Sequence, residues 1–365
     1  MFPLITAPVF GGQEGCRIND AIRAYQRETE LPERSGQGLS VQVILQGKDQ
    51  QMNSAVQRAI SVVIVTYQSA QVIDRCLAPL CADPSTQIEI VLLDNASWDG
   101  TFEQVKSRYP EVHAIANREN SGFSKGNNLA ISASSGRYVL LLNPDAFLPS
   151  LEAVFSLADY LEAHSDVAAV GPRIIDPDGT HQIGDAGWRV SFSNVLSYSF
   201  LLHRVCARFP SIFLANPRLL QAAAVEVDWI GGACLMIRRE VIEKIGGLAE
   251  RFFMYGEDVE WGQRMRDGGY KVIYLPQIKV VHLRGHSQRK SIDLFFSTKW
   301  LDAITRLFAE SHSRPACWAV RLMLASGLLL RAFLLGISGM VTGRSTLLKR
   351  ARFMWRYSLY ALRLT

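Results

Sequence analysis

Five groups of side chains in this sequence are fit for chemistry, and most sit where an apolar run ends. Asn143-Pro144-Asp145 follows Arg137–Leu142. A carboxylate at a strand end is a good hard-cation ligand, and a cation there can bridge two phosphates. The same tripeptide also makes a plain turn. Asp94-Asn95 closes Ile88–Leu93, where Asp94 can accept from a base or ribose or cap the next helix. Asn120–Asn128 carries Gly122 and Gly126. These glycines let backbone approach a ligand, and a helix starting near Lys125 offers free N–H groups to an anion. The stretch lacks the Lys-Ser/Thr ending of a P-loop and the GxGxxG spacing of a dinucleotide site. An ordinary glycine loop before a helix remains the alternative. Phe252–Trp261 places Glu257 and Asp258 after an aromatic run and a glycine. A carboxylate in a partly apolar cleft can take a proton from a sugar hydroxyl. The competing reading is the acidic first turn of a solvated helix. His282 ends a strand and is either a metal ligand or a structural histidine, while Arg284 and Arg289 beyond it suit phosphate or solvent.

These residues need elements to hold them. Ile60–Val65, Ile88–Leu93, His113–Ala116, Arg137–Leu142 and Val167–Val170 read as strands. Helical stretches separate them: Ser69–Leu80, Ser97–Ser107, Lys125–Ser134 and Leu151–His164. Strands alternating with helices predict an α/β layer fold with a mainly parallel sheet, whose chemistry lies at the strands' carboxyl ends. Residues 180–225 are less regular. Trp229–Ile237 then reads as one strand, Val241–Ile245 and Asp258–Asp267 as helices, and Tyr270–Leu275 and Ile278–His282 as two strands.

Composition sets the frame. The chain has 365 residues, 48% hydrophobic and 20% charged, which excludes a disordered or fibrous polypeptide. Six scattered cysteines, without a CxxC pair, argue against structural zinc and for a reducing compartment. The net charge of +5 belongs to the tail: residues 311–365 hold nine Lys or Arg and no Asp or Glu. That tail contains Leu322–Val341, apolar except for Arg331. Basic and apolar together favour a lipid surface over nucleic acid. Interfacial helices with snorkelling arginines, a single span, and a buried hairpin are the three readings, of which the first is preferred. Residues 1–57 are weakly patterned and lack an apolar run behind basic residues, so no secretory signal is expected, and Met52 is a candidate translation start.

Taken together, the order of Ser61–Tyr67, Asp94–Ser97, Asn120–Asn128, Leu141–Asp145, Gly231–Ala233, Tyr255–Asp258 and Val281-His282 resembles the family 2 glycosyltransferases, in their bacterial rhamnosyltransferase-like branch. The resemblance implies a GT-A fold over residues 58–290, with 58–170 binding the nucleotide-sugar and 171–290 holding acceptor and base. Residues 291–365 would form a membrane-associating helical tail. It implies an inverting transferase that uses a divalent cation, Mg or Mn. Thr66, Tyr67, Asp94, Asn95, Gly122, Phe123, Gly126, Asn127, Asn128 and Asn143 would face the donor. Asp145, last residue of the family's DxD motif, would bind metal together with His282. Asn143 replaces the motif's first acid. Asp258 would be the base, with Glu257 beside it. Trp229, Gly231 and Gly232 would line the acceptor cleft. Deoxythymidine diphosphate rhamnose is the favoured donor, ahead of galactofuranose, N-acetylglucosamine or guanosine diphosphate sugars. A polyprenyl-diphosphate-linked saccharide at the inner leaflet is the favoured acceptor, in cell-envelope polysaccharide assembly. A non-catalytic saccharide- or nucleotide-binding relative is the rival of another class.

Overall fold

A computed structural model describes residues 60–82, 88–206, 209–283 and 299–363. The expected extension at 1–57, Met52, Arg284 and Arg289 lie outside them. In chain order the elements are β1 (Ile60–Thr66), α1 (Ile73–Leu77), β2 (Glu89–Asp94), α2 (Thr101–Arg108), β3 (His113–Ala116), α3 (Gly122–Ser132), β4 (Tyr138–Leu142), β5 (Ala146–Phe147), α4 (Leu151–Ala163) and β6 (Val167–Ile175). Then come β7 (Ala186–Gly187), α5 (Phe192–Ser199), α6 (Leu202–Val205), β8 (Val225–Val227), β9 (Trp229–Ile230), β10 (Cys234–Arg238), α7 (Arg239–Ile245), α8 (Glu257–Asp267) and β11 (Lys271–His282). Three helices end the chain: α9 (Lys299–Ala309), α10 (Arg314–Thr342) and α11 (Ser345–Arg363).

The main sheet runs β3-β2-β1-β4-β10-β6-β11-β5, with β8 on β11. β3, β2, β1 and β4 are parallel, as the β-branched runs require. β10 enters antiparallel between β4 and β6, so the sheet is mixed rather than mainly parallel. Alternate side chains feed two faces: Val62 and Ile64 pack toward α1 and α4, Val63 toward α3 and Trp261.

Several expected boundaries move. The predicted Ser69–Leu80 helix shrinks to Ile73–Leu77, because the 67–71 backbone bonds instead to Ser97, Thr101 and Asp99. α2 begins at Thr101, so Asp94 does not cap it. α3 begins at Gly122, earlier than expected. The Trp229–Ile237 strand is broken at 231–233, where a glycine turn crosses the sheet edge. The two strands expected after Tyr270 are one, β11, with a bulge between Leu275 and Lys279.

The terminal helices are not a detached tail. Leu301, Phe308, Val320, Leu324 and Tyr357 share a core with Val195, Ile212 and Phe252. Arg331 faces inward. Its guanidinium donates to the Ser199 carbonyl (3.0 Å) and the Tyr198 carbonyl, and stacks over the Tyr198 ring at 4.6 Å. The expected headgroup-facing Arg331 is therefore a buttress between α10 and α5.

Candidate active site

Strand register assembles the site at the carboxyl edge. Parallel pairing puts Thr66 level with Asp94 and Asp94 level with Ala116. Asp94 is buried. Its Oδ1 accepts from Thr66 Oγ1 (2.7 Å) and Ser97 Oγ (2.6 Å), and its Oδ2 from the Ser97 amide (2.8 Å). Thr66 thus spends its hydroxyl on aiming Asp94, and its full burial leaves no face for a nucleoside. Tyr67 follows, half-buried.

Asn95 is a tie. Its Nδ2 donates to the Gly122 carbonyl (3.0 Å), and its Oδ1 accepts from Asn117 (3.1 Å) and Ser121 (3.1 Å). Gly126 lies where a Cβ would stand 2.9 Å from Val65 and 3.0 Å from Asn95, so glycine lets α3 close on β1. Asn127 is buried and bonds to the Phe123 carbonyl (2.9 Å). Asn128 brackets the Leu248 backbone, donating to its carbonyl (2.8 Å) and accepting from its amide (2.9 Å). These asparagines were expected at the donor. Their amides are instead committed to holding loops, and neither sits in a turn. Asn117 and Ser121 belong to the same network; Ser121 lies in the Asn120–Asn128 motif, and Asn117 lies outside every motif.

The glycine turn links both halves. Asn143 N–H donates to the Ala233 carbonyl (2.9 Å), and Gly231 N–H to the Asp185 carbonyl (2.7 Å). A Cβ on Gly232 would stand 2.7 Å from the Phe123 ring, and one on Gly122 2.6 Å from the Phe253 carbonyl. Phe123 N–H donates to that carbonyl at 2.8 Å. The Gly122 backbone therefore meets that of Phe253, and the Gly232 backbone meets the Phe123 ring. Asp258 stands beside the glycine turn, accepting from Val259 N–H (2.8 Å) and from the Gly232 backbone. Burial pushes its carboxyl above the usual range, against those backbone donors. Glu257 is raised well above its ordinary value, first by burial and then by Asp258 beside it. Its Oε2 has no hydrogen-bond partner. The turn before it is strained, with Tyr255 at φ 72° and Gly256 at φ 101°.

Trp229 is a correction. It is 2% exposed, donates Nε1 to the Trp188 carbonyl (3.2 Å) and packs on Phe213 and Gly262. Its ring belongs to the core and has no free face for a sugar. The aromatics at the mouth are Phe253 (53% exposed) and Tyr255 (41%).

The third group forms because β5 pairs with β11, His282 opposite Ala146. His282 Nε2 lies 3.2 Å from Asp145 Oδ1 and 3.3 Å from Asn143 Nδ2. Gln182 fixes the ring's tautomer. Its Nε2 donates to Asp176 (2.7 Å) and to the His282 carbonyl (2.5 Å), so its Oε1 faces the ring. His282 Nδ1, 3.1 Å from that oxygen, carries the proton. Nε2 then turns a lone pair toward the Asp145 carboxylate. Two electron-pair donors brought face to face suit a divalent cation. The residues fit the group, although no cluster of three or more His, Cys, Asp or Glu exists among the described residues.

The glycosyl transferase family 2 model matches residues 61–246. The chain belongs to that family. It is a glycosyltransferase with the GT-A fold. An N-acetylglucosaminyl-diphospho-decaprenol L-rhamnosyltransferase of Mycobacterium tuberculosis is 28% identical over 293 residues, 75% of this chain and 94% of the relative. Rhamnosyltransferase WbbL of Escherichia coli is 24% identical over 248 residues, 65% of this chain and 87% of the relative. Among solved structures, a mannosyltransferase of Pyrobaculum calidifontis in complex with GDP-Man and Mn2+ superposes with a TM-score of 0.53 at 17% identity, covering 94% and 96% of the two chains. Gln182 lies outside every motif the sequence singled out, whereas Phe253 and Tyr255 lie inside the Phe252–Trp261 run without a role assigned to them.

Proposed function

We propose that this glycosyltransferase moves rhamnose from a nucleotide diphosphate to a lipid-linked saccharide, inverting the anomeric carbon. The carrying observation is the position of Asp258, a buried carboxyl that follows the strained Tyr255-Gly256 turn and accepts from the Gly232 backbone. The names of the relatives support the sugar and the lipid-linked N-acetylglucosamine acceptor.

The acceptor hydroxyl attacks the anomeric carbon from the face opposite the diphosphate. Its oxygen forms the new bond as the carbon–oxygen bond to the diphosphate breaks. Asp258 takes the hydroxyl proton. Burial raises both carboxyls of the Glu257-Asp258 pair, which makes the pair more basic than ordinary carboxylates. Phe253 and Tyr255 offer exposed rings to the acceptor sugar. Asp145 and His282 would hold a divalent cation, which when bound neutralises charge on the leaving diphosphate. Asn143 reduces that site's charge by one, leaving two protein ligands, a number that suits a cation shared with phosphate oxygens and water.

The enzyme works peripherally on a membrane, on this reading. α10 is long and apolar enough to cross a bilayer. Its middle, however, is bonded to α5 of the catalytic body through Arg331 and packed against Ser199 at Gly327. A span would carry α5 into hydrocarbon. α10 therefore lies along the surface, with Trp318, Leu322, Met340 and Val341 exposed.

A panel of nucleotide-sugars titrated by calorimetry with Mn2+, Mg2+ or chelator tests the donor. Cation-dependent binding of the deoxythymidine diphosphate sugar, stronger than uridine or guanosine donors, is expected. A uridine preference would reject rhamnose. Flotation with vesicles, with and without residues 311–365, tests the membrane; association unchanged by truncation would reject the tail's role.

A further inference from the structure

α10 and α11 form an open groove of about 890 Å3, within the range of small-molecule sites. One wall is a single stripe of α10: Ser326, Leu329, Leu330 and Phe333. The other is Ala351, Arg352, Trp355 and Arg356 of α11. Arg352 and Arg356 stand one turn apart, both exposed. They form no ion pair among the described residues, and residues 311–365 contain no acid to provide one. Two unneutralised guanidiniums one turn apart match a diphosphate, since each can fork onto phosphate oxygens. The rest of the groove is apolar.

We infer that this groove binds the isoprenoid diphosphate of the acceptor, the proximal chain between the helices and the diphosphate on Arg352 and Arg356. The inference rests on the lipid-linked acceptor proposed above and adds its seat. Charge complementarity selects this occupant. A second copy of this strongly basic tail would be repelled. Bulk lipid has Trp318, Leu322, Met340 and Val341, exposed on α10 beyond the groove's lining, available to it. The groove is also joined to the chemistry. α10 packs on α9, and a Cβ on Gly256, next to Glu257, would stand 2.7 Å from Ala303 of α9. Arg251, at the start of the catalytic loop, forms a two-bond ion pair with Glu310 just after α9 (3.0 and 2.9 Å).

The test uses the full chain and two acceptors bearing the same saccharide diphosphate, one on a long isoprenoid and one on a short water-soluble chain. Ala351→Trp fills the groove. It should raise KM for the long-chain acceptor about tenfold, with KM for the short-chain acceptor changed less than threefold and vesicle sedimentation unchanged. Arg352→Gln/Arg356→Gln should raise both KM values, since both acceptors carry the diphosphate. An unchanged long-chain KM in Ala351→Trp would overturn the inference, as would equal losses on both acceptors or a parallel loss of vesicle binding, which would assign the groove to bulk lipid. A long-chain diphosphate with a photoreactive isoprene supplies a readout independent of the variants. Label on α10 and α11 peptides is expected, and label confined elsewhere would also overturn it. If wild-type enzyme transfers sugar to neither acceptor, the lipid-linked reading itself fails; transfer to both without groove selectivity sinks the groove alone.

Discussion

The edge proposed for the donor and the loop proposed for the acceptor are built on opposite principles. At the donor edge polar groups are spent on one another: Thr66 and Ser97 on Asp94, Gly122, Asn117 and Ser121 on Asn95, Leu248 on Asn128. Such a network is rigid and preformed. The acceptor loop does the reverse. It holds a positive-φ Tyr255, two carboxyls raised by burial and an unpartnered Glu257 oxygen. The difference teaches where stability is given up for chemistry: a donor pocket needs shape, while a base needs an uncomfortable carboxylate.

Breaking the acceptor side should cost most. Asp258→Asn should lower transfer at least about a hundredfold, the scale of general-base loss, in a single-turnover assay with labelled donor. On the donor side the largest effect should come from Gln182→Leu. Freeing the His282 tautomer should weaken cation affinity about 10–100-fold, read by Mn2+ titration in electron paramagnetic resonance, with fold intact by circular dichroism. Tyr255→Ala should raise the acceptor KM several-fold, about what losing one aromatic contact gives, while leaving donor affinity alone.

The comparison also has a pH signature. Glu257 binds its proton more tightly folded than unfolded. The folded state is therefore favoured at acid pH, and that stability is lost as pH rises from the ordinary carboxylate range toward the raised value. Glu257→Gln removes the loss. Its Tm should match wild type at acid pH and exceed it at neutral pH, by scanning calorimetry. A variant less stable at neutral pH would show that Glu257 is instead compensated in the fold.

The strand–helix alternation was legible because β-branched runs and strand-end polar residues are local signals. The antiparallel entry of β10 was not, since pairing direction leaves no mark in one strand's composition. Asp145, His282, Glu257 and Asp258 stood out in the sequence as candidates, and the structure sets His282 Nε2 3.2 Å from Asp145 Oδ1. Asn128 was readable as polar but not as a packing residue, because its partner Leu248 is distant in sequence. Trp229 misled: an aromatic beside glycines reads like a sugar platform, but Gly187 makes room for its ring, and Gly262 for its Cβ, inside the core. Gln182 gave no signal at all, as its role exists through a histidine a hundred residues away. The tail's charge and apolarity were plain, whereas the inward turn of Arg331 depends on carbonyls of α5.

The most direct measurement is calorimetric donor binding by Asp258→Asn, beside its transfer rate. The account predicts a donor Kd within about twofold of wild type while transfer falls at least about a hundredfold. Donor affinity that falls in step with transfer would contradict the division between a preformed donor edge and a reactive acceptor loop.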